Sequence, residues 1–310
     1  MIYLISVFIL SVLGIMVYNH LSGKNLIRDF AHFVVIRRKS LKNLDEAWSK
    51  SNDRSEIILS LTTIPERIDH IQPTIKCLLH QRRLPQKICI NIPFKSFRNN
   101  KEYIIPTWLT ELMAVEIVRV DQDYGPATKF IPTLDSATQD QLILVVDDDK
   151  MYPPNYVNEF ERTEKEHPEC ILAASGWRVP KDLIDKPTTL RSNLLKIPPT
   201  PVKGTRIKDL YKTDIIQGYS GYLIKPKFFD LDTIKDYSDA PEQIKFVDDI
   251  WISAHSKVDK FVLPLKRYCY TSPVNQSFFK STSLAKINNW NRNNADRNNT
   301  VALKYFKDKW

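Results

Sequence analysis

Three consecutive carboxylates, Asp147-Asp148-Asp149, follow directly on the apolar run Leu142-Ile143-Leu144-Val145-Val146 and precede Lys150-Met151-Tyr152-Pro153-Pro154. A run so uniformly apolar, with three β-branched residues, reads as a central strand buried on both faces. Such a strand cannot bury the acids, so they fall just past its carboxyl end. In open α/β sheets the ligand crevice lies there, and hard carboxylate oxygens gathered in it suit Mn²⁺ or Mg²⁺ better than zinc. A surface turn would need one or two aspartates and no such strand in front of them. A second acid pair, Asp248-Asp249, sits in the segment FVDDIWISAH of residues 246–255, which reads as a helix with both acids in its first turn. Acids there also complement the helix dipole, whatever else they do.

The elements that must position these acids alternate. Glu56 to Leu61 reads as a first strand, running into the loop Thr62-Thr63-Ile64-Pro65-Glu66-Arg67. Ile71, Ile75, Leu78 and Leu79 keep helical spacing, and Pro85 precedes a second strand over 87–92. Residues 103–113 read as helical, and VEIVRV over 115–120 alternates as a third strand should. Pro126 suits the first turn of a helix through Leu134 that feeds the central strand, and Pro153 or Pro154 begins another through about Glu166. Cys170 to Ala174 is a fifth strand leading to Gly176-Trp177-Arg178, and residues 180–210 lack periodicity, as a lid or an insertion would. Ile215 to Ile224 resumes strand character, its Gly218 and Gly221 allowing close backbone approach to a ligand. Residues 261–265 make a last strand, and the Asn- and Arg-rich stretch from Asn288 to Thr300 reads as irregular. Strands alternating with helices predict an α/β fold around a mostly parallel sheet.

The chain's 310 residues allow one large domain, and its formal charge of +9 favours anionic partners such as nucleotides, anionic polymers or lipid head groups. Four widely spaced cysteines, with no CxxC pair, suggest neither a zinc site nor a disulfide framework. Residues 1–18 carry no charge and are just long enough to cross a bilayer. They lack the basic n-region and small-residue cleavage site of a signal peptide. Lys24, Arg28, Arg37, Arg38, Lys39 and Lys42 all follow the apolar run, so the positive-inside rule predicts a single-pass membrane protein with its catalytic domain in the cytoplasm. The expected organisation is a transmembrane anchor over 1–18, a basic juxtamembrane helix or linker over 19–54, a catalytic domain over 55–270 and an Asn/Arg-rich segment over 271–310. The basic stretch after the anchor would itself favour an anionic membrane surface.

A first strand ending in Thr62-Thr63, a central strand ending in three aspartates and an acid pair opening a late helix together resemble the GT-A glycosyltransferases, in particular the family-2-like and fringe-like inverting enzymes. The likeness covers residues 55–270. It implies a nucleotide-sugar donor, a glycan or lipid-linked acceptor, no nucleic-acid partner, and Mn²⁺ or Mg²⁺ as cofactor. By this similarity Asp147 would lie near the ribose and share the metal with Asp149, and Asp148 is left between donor and metal. Inversion needs a base opposite the leaving group. Asp249 matches the second acid of the family's Glu-Asp pair, with Asp248 as the alternative; the pair here is Asp-Asp. Thr62 and Arg67 would lie by the nucleotide base, Lys129 would offset diphosphate charge, and Trp177, Gly218 and Tyr219 would face the acceptor. Many enzymes of this fold add a late histidine to the metal, whereas no histidine follows His255 here, and His255 reads as packed or solvated within its helix. A nucleotidyltransferase would normally show a glycine-rich phosphate loop after the first strand, which Thr62 to Arg67 lacks. A non-catalytic nucleotide- or glycan-binding module remains the other alternative, and it would need no base.

Overall fold

In a computed structural model, which describes residues 2–284, 288 and 292–310, the chain begins with α1 (Ile2–Ser22), α2 (Leu26–Arg38) and α3 (Leu41–Lys50). Strands and helices then alternate: β1 (Ile58–Thr62), α4 (Gln72–Leu79), β2 (Lys87–Pro93), α5 (Thr107–Thr110), β3 (Val115–Val120), α6 (Ile131–Ser136) and β4 (Ile143–Val145). The middle of the chain supplies β5 (Lys150–Met151), α7 (Tyr156–Glu166), β6 (Ile171–Ala173), β7 (Ser175–Trp177), α8 (Leu190–Leu195) and β8 (Val202–Lys203). After β9 (Tyr211–Thr213), β10 (Ile215–Ile216) and β11 (Tyr222–Ile224) come α9 (Leu231–Lys235), α10 (Asp248–His255), β12 (Lys260–Val262), β13 (Tyr270–Thr271) and α11 (Gln276–Ser281).

Eight strands form one sheet in the order β3-β2-β1-β4-β11-β6-β12-β9. β1 to β4 are mutually parallel, β11 runs against β4 and β6, β12 follows β6, and β9 is an antiparallel edge. The architecture is thus the mostly parallel, helix-flanked sheet that the alternation of strands and helices predicts. The chain steps outward from β1 through β2 to β3 and returns to the other side of β1 as β4. Between the carboxyl ends of β1 and β4 lies the crevice that such a reversal opens.

β4 justifies its apolar sequence. Leu144 and Val146 join the core on one face of the sheet, with Leu59, Leu61, Ile75 and Phe160, while Ile143 and Val145 join the other, with Phe130, Leu134, Trp251 and Leu303. Alternate residues point to opposite faces, so a strand covered on both sides must be apolar throughout.

Several elements differ from the sequence expectation for identifiable reasons. The helix expected over 126–134 is split into a 3-10 turn, Gly125–Lys129, and α6, and the helix expected over 103–113 shrinks to α5. Residues 215–224 are not one strand. Gly221 has φ +96°, which breaks the chain after a 3-10 turn at Gly218–Ser220, so β10 pairs with β7 in a small second sheet while β11 returns to the main one. The segment 180–210 contains α8 and β8. In the tail expected to be irregular, Asn298–Tyr305 is helical and inserts Ala302 and Leu303 into the core. The rest of that stretch includes 289–291, which lie outside the described residues.

Of residues 19–54, expected as a juxtamembrane helix or linker, 19–22 end α1 and most of the rest form α2 and α3, which pack on the sheet domain. Leu44 and Trp48 enter the core, and Trp48 Nε1 donates to the Pro85 carbonyl at 2.9 Å. The buried Asp45 carboxylate accepts from the backbone N–H groups of Met113 and Ala114, each at 2.9 Å. Asp45→Ala leaves both donors without this partner and should lower the unfolding free energy by about 2–4 kcal/mol, measurable by chemical denaturation of the detergent-solubilised protein. A change under about 0.5 kcal/mol, the scale of an ordinary surface substitution, would show that this tether contributes nothing.

α1 stands outside this packing. Its window Ile5–Ser22 has a mean hydropathy of 1.7 and none of it is buried, so it is long and apolar enough to cross a membrane.

Candidate active site

A cleft of about 440 Å³ opens at the carboxyl ends of β1 and β4. β4 delivers Asp147, Asp148 and Asp149 to its floor, and the first turn of α10 delivers Asp248 and Asp249 to its wall. Asp123, Arg67, Arg98, Lys129 and Lys150 also line it. Six carboxyl groups therefore face four cations.

The cations are engaged in ion pairs or enclosed in the cleft. Lys129 Nζ lies 2.9 Å from Asp147 Oδ1 and 2.7 Å from Asp248 Oδ2, so one ammonium ties the two acid groups together. Burial opposes that charge, but Asp147 and Asp248 outweigh it and hold the ammonium pKa well above its ordinary value. Arg67 pairs with Asp148 at 2.9 Å and reaches Asp149 at 4.0 Å. Its other nitrogens donate to Thr282 Oγ1 at 2.8 Å and to the Phe279 carbonyl at 3.2 Å. Lys150 Nζ is 2.5 Å from Asp149 Oδ1.

The three strand-end acids are held differently. Asp148 is buried, accepting from Thr63 Oγ1 at 2.7 Å while its carbonyl accepts from Thr74 Oγ1 at 2.8 Å, and burial pushes its carboxyl up despite Arg67. It ties the loop after β1 to α4. Asp147 is the most open of the three, its side chain 27% exposed; burial opposes its charge, but Lys129 and Lys150 hold its carboxyl below the usual range. Asp149 lies between Lys150 and Arg67.

Asp249 is set apart by its surroundings. Its Oδ1 accepts from the Gly218 N–H at 2.7 Å, and burial, with the negative charge of Asp248 beside it, pushes its carboxyl up to about 8. The close approach needs glycine: a Cβ on residue 218 would lie 2.4 Å from Lys129 Nζ and 3.1 Å from Asp249 Oδ1.

The remaining residues singled out from sequence are close by. Thr62, at the end of β1, donates from Oγ1 to the Asn91 carbonyl at 2.7 Å and lines the cleft. Trp177 is a buried part of its wall, and Tyr219 lines it while accepting from Tyr268 Oη at 2.8 Å. His255 is packed away: it contacts the Trp251 ring at 4.4 Å and the Phe306 ring at 5.4 Å between centroids.

The donor set suits a hard divalent cation. Among the described residues no three of His, Cys, Asp and Glu are grouped as a ready-made cage. Magnesium-type sites that also take substrate phosphates need only one or two carboxylates, however. Asp147 and Asp149 are oxygen donors of that kind on the cleft's floor.

No family model matches the sequence, and no curated protein matches it. Among solved structures the chain is similar to S. aureus TarS 1-349, at 13% identity and a TM-score of 0.44, over 82% of this chain and 70% of that one. A structure of the same TarS segment in complex with UDP gives 12% identity and a TM-score of 0.39, over 75% and 65%. GalNAc-T7 with UDP, GalNAc and Mn²⁺ gives 12% identity and a TM-score of 0.42, over 67% of this chain and 41% of that one. The chain thus spans about two fifths of the GalNAc-T7 structure.

Sequence reasoning missed Arg98, Asp123 and Lys150. Lys150 adjoins the acid triplet and could have been found by asking which cation neutralises it. Asp123 caps a turn, accepting from the Phe97 N–H at 2.6 Å and the Gly125 N–H at 2.8 Å. Arg98, whose guanidinium pKa is lowered by burial and by Arg67, comes from the loop after β2 and has no local signal.

Proposed function

We propose that the protein is an inverting glycosyltransferase, moving a sugar from a nucleoside diphosphate donor to a glycan or lipid-linked acceptor. The convergence of the β4 acids and the α10 acids on one cleft, with Lys129 between them, carries this reading. In it, Thr62 and Arg67 flank the nucleotide, and Asp147 and Asp149 would hold a divalent cation, which supplies charge stabilisation for the departing diphosphate. Tyr219 offers an aromatic face to the sugars, and the buried Trp177 shapes the cleft wall.

Asp249 takes the proton of the acceptor hydroxyl. Gly218 fixes one of its oxygens, which leaves the other for the hydroxyl. A carboxylate whose pKa is near 8 is a far stronger base than an ordinary aspartate and lies close to working pH, where general-base catalysis is most efficient.

A screen of nucleotide sugars for Mn²⁺-dependent hydrolysis or transfer tests the activity, since hydrolysis identifies the donor even without its acceptor. With the donor in hand, Asp149→Ala should make nucleotide affinity insensitive to Mn²⁺ in titration calorimetry. The same Mn²⁺ dependence in the variant would place the metal elsewhere, and no turnover of any donor would remove the transferase reading.

The reading also places α1 across a membrane with the cleft on the cytoplasmic side, because the lysines and arginines follow the apolar run. Glycosylation of Asn275, within Asn275-Gln276-Ser277, on expression in a eukaryotic host would overturn that topology.

A further inference from the structure

A second cavity, of about 840 Å³, lies where α1 joins the folded domain. Lys24 enters it from the turn after α1, Arg28 from the first turn of α2, and Lys196, Arg206 and Lys208 from the segment after α8. Lys266 and Arg267 close the third side, and only Asp29 and Asp209 oppose these seven cations among the lining residues. Asp29 is already committed to Arg267 at 3.5 Å. Lys24, Lys208 and Lys266 make no side-chain hydrogen bond or ion pair among the described residues. Burial, with the charges of Lys24 and Arg206, lowers the neighbouring Lys203 ammonium to about 8, as expected where cations crowd without enough anions.

The cavity is built, not a chance fold of surface. Thr205 Oγ1 donates to the Gly23 carbonyl at 2.7 Å, Lys203 Nζ to the Ser22 carbonyl at 2.5 Å, and Asn193 Nδ2 to the Leu21 carbonyl at 3.3 Å. Arg28 and Arg267 each donate to the backbone of the opposite wall, at 3.1 Å. The bonds to Leu21, Ser22 and Gly23 fasten α8 and the segment after it to the end of the apolar helix. α8 buries none of its residues, and it presents Leu190, Leu194 and Leu195 to the outside beside that exit. Exposed leucines next to an apolar helix end, with clustered cations behind them, match the layering of a bilayer surface, where acyl chains lie below phosphate. A soluble phosphate would leave those leucines without a role.

We propose that this cavity holds the phosphate of an anionic membrane lipid, with Lys24, Lys208 and Lys266 meeting the head group and Leu190, Leu194 and Leu195 seated among acyl chains. The site is separate from the acid-lined cleft; it rests on α1 lying in a membrane and not on the transferase chemistry.

The full chain in non-ionic detergent micelles, doped with phosphatidylglycerol or phosphatidylcholine and examined by native mass spectrometry, tests this. Phosphatidylglycerol should be retained at least tenfold better than phosphatidylcholine. The combined variant Lys24→Gln, Lys208→Gln, Lys266→Gln should lose on the order of a hundredfold in phosphatidylglycerol affinity, about fivefold for each cation. The combined variant Leu190→Ser, Leu194→Ser, Leu195→Ser should weaken phosphatidylglycerol while leaving inorganic phosphate binding unchanged. Equal retention of the two lipids by the unaltered chain overturns the proposal without any variant. So does a preference that survives the lysine substitutions, and displacement of the lipid by equimolar inorganic phosphate would assign the cavity to a soluble anion instead.

Discussion

Asp249→Asn should reduce sugar transfer by roughly a hundredfold or more, the scale of a lost general base, while raising the unfolding temperature at pH 8. The substitution keeps the shape and the oxygen that accepts from Gly218, but it cannot take the acceptor proton. Donor affinity should barely change, because in the proposed mechanism this carboxylate serves the acceptor. The stability gain follows from linkage. The folded-state pKa, near 8, lies above the ordinary value of 3.8, so between those values the folded protein holds a proton that the unfolded chain has released. That contribution is fully present below about pH 4 and is lost as the pH rises towards 8. Asparagine never ionises, so the two melting temperatures should converge at pH 4 and separate steadily up to pH 8. Transfer by the unaltered enzyme should climb over the upper part of the same range as Asp249 loses its proton. An inverted anomeric configuration in the product, read by NMR, is the independent check. Near-normal transfer by Asp249→Asn beside an inactive Asp248→Asn would move the base to Asp248, and near-normal ligand binding with no catalysis by any form would indicate a binding module.

Lys129→Met is expected to be the most damaging single change to the fold, at about 3–5 kcal/mol, the cost of leaving buried charges without their partner. The ammonium is 7% exposed and sits within 3 Å of both Asp147 and Asp248. Methionine fills much of its volume, so the loss measures charge and not a cavity. Without the lysine, Asp147 loses the larger of the two positive charges that hold its carboxyl down, and burial drives it towards protonation. The deficit should therefore be smaller at pH 5 than at pH 8, where the variant must keep its acids charged or take up protons to neutralise them. Urea denaturation at both pH values provides the comparison. A loss under about 1 kcal/mol, the range of a surface ion pair, would mean that Lys129 is no internal counter-ion.

The acid triplet was legible because the strand before it has to satisfy two hydrophobic faces at once, a demand that Leu142 to Val146 meets and few other segments do. Asp248 and Asp249 were legible as a helix start, although nothing local could show that Lys129 would stand between them and β4. That contact spans more than a hundred residues of sequence and depends on the 3-10 turn at Gly125–Lys129, which reads locally as a plain helix. Arg67 was assigned to the nucleotide from its place after β1, yet two of its donors go to Phe279 and Thr282, far along the chain. The break at Gly221 and the helix Asn298–Tyr305 escaped for opposite reasons: apolar residues concealed the first, and asparagines the second. Burial of Ala302 and Leu303 in the finished core overrode local propensity in the helix, whereas the chain breaks at Gly221 through a positive φ that glycine adopts readily.

The neighbour relations in the sheet also set a timetable for synthesis. β4 pairs with β1 on one side, from residues already made, but its other neighbour is β11, whose Tyr222 emerges almost eighty residues later. β6 waits still longer for β12. At a ribosomal pace of about 5–20 residues per second, the nascent half-sheet holds Ile143–Val145 as an open apolar edge for several seconds, the kind of edge that recruits other chains. A chain stalled or cut before Tyr222 keeps that edge permanently, with the cleft's floor in place and the wall bearing Asp249 not yet made.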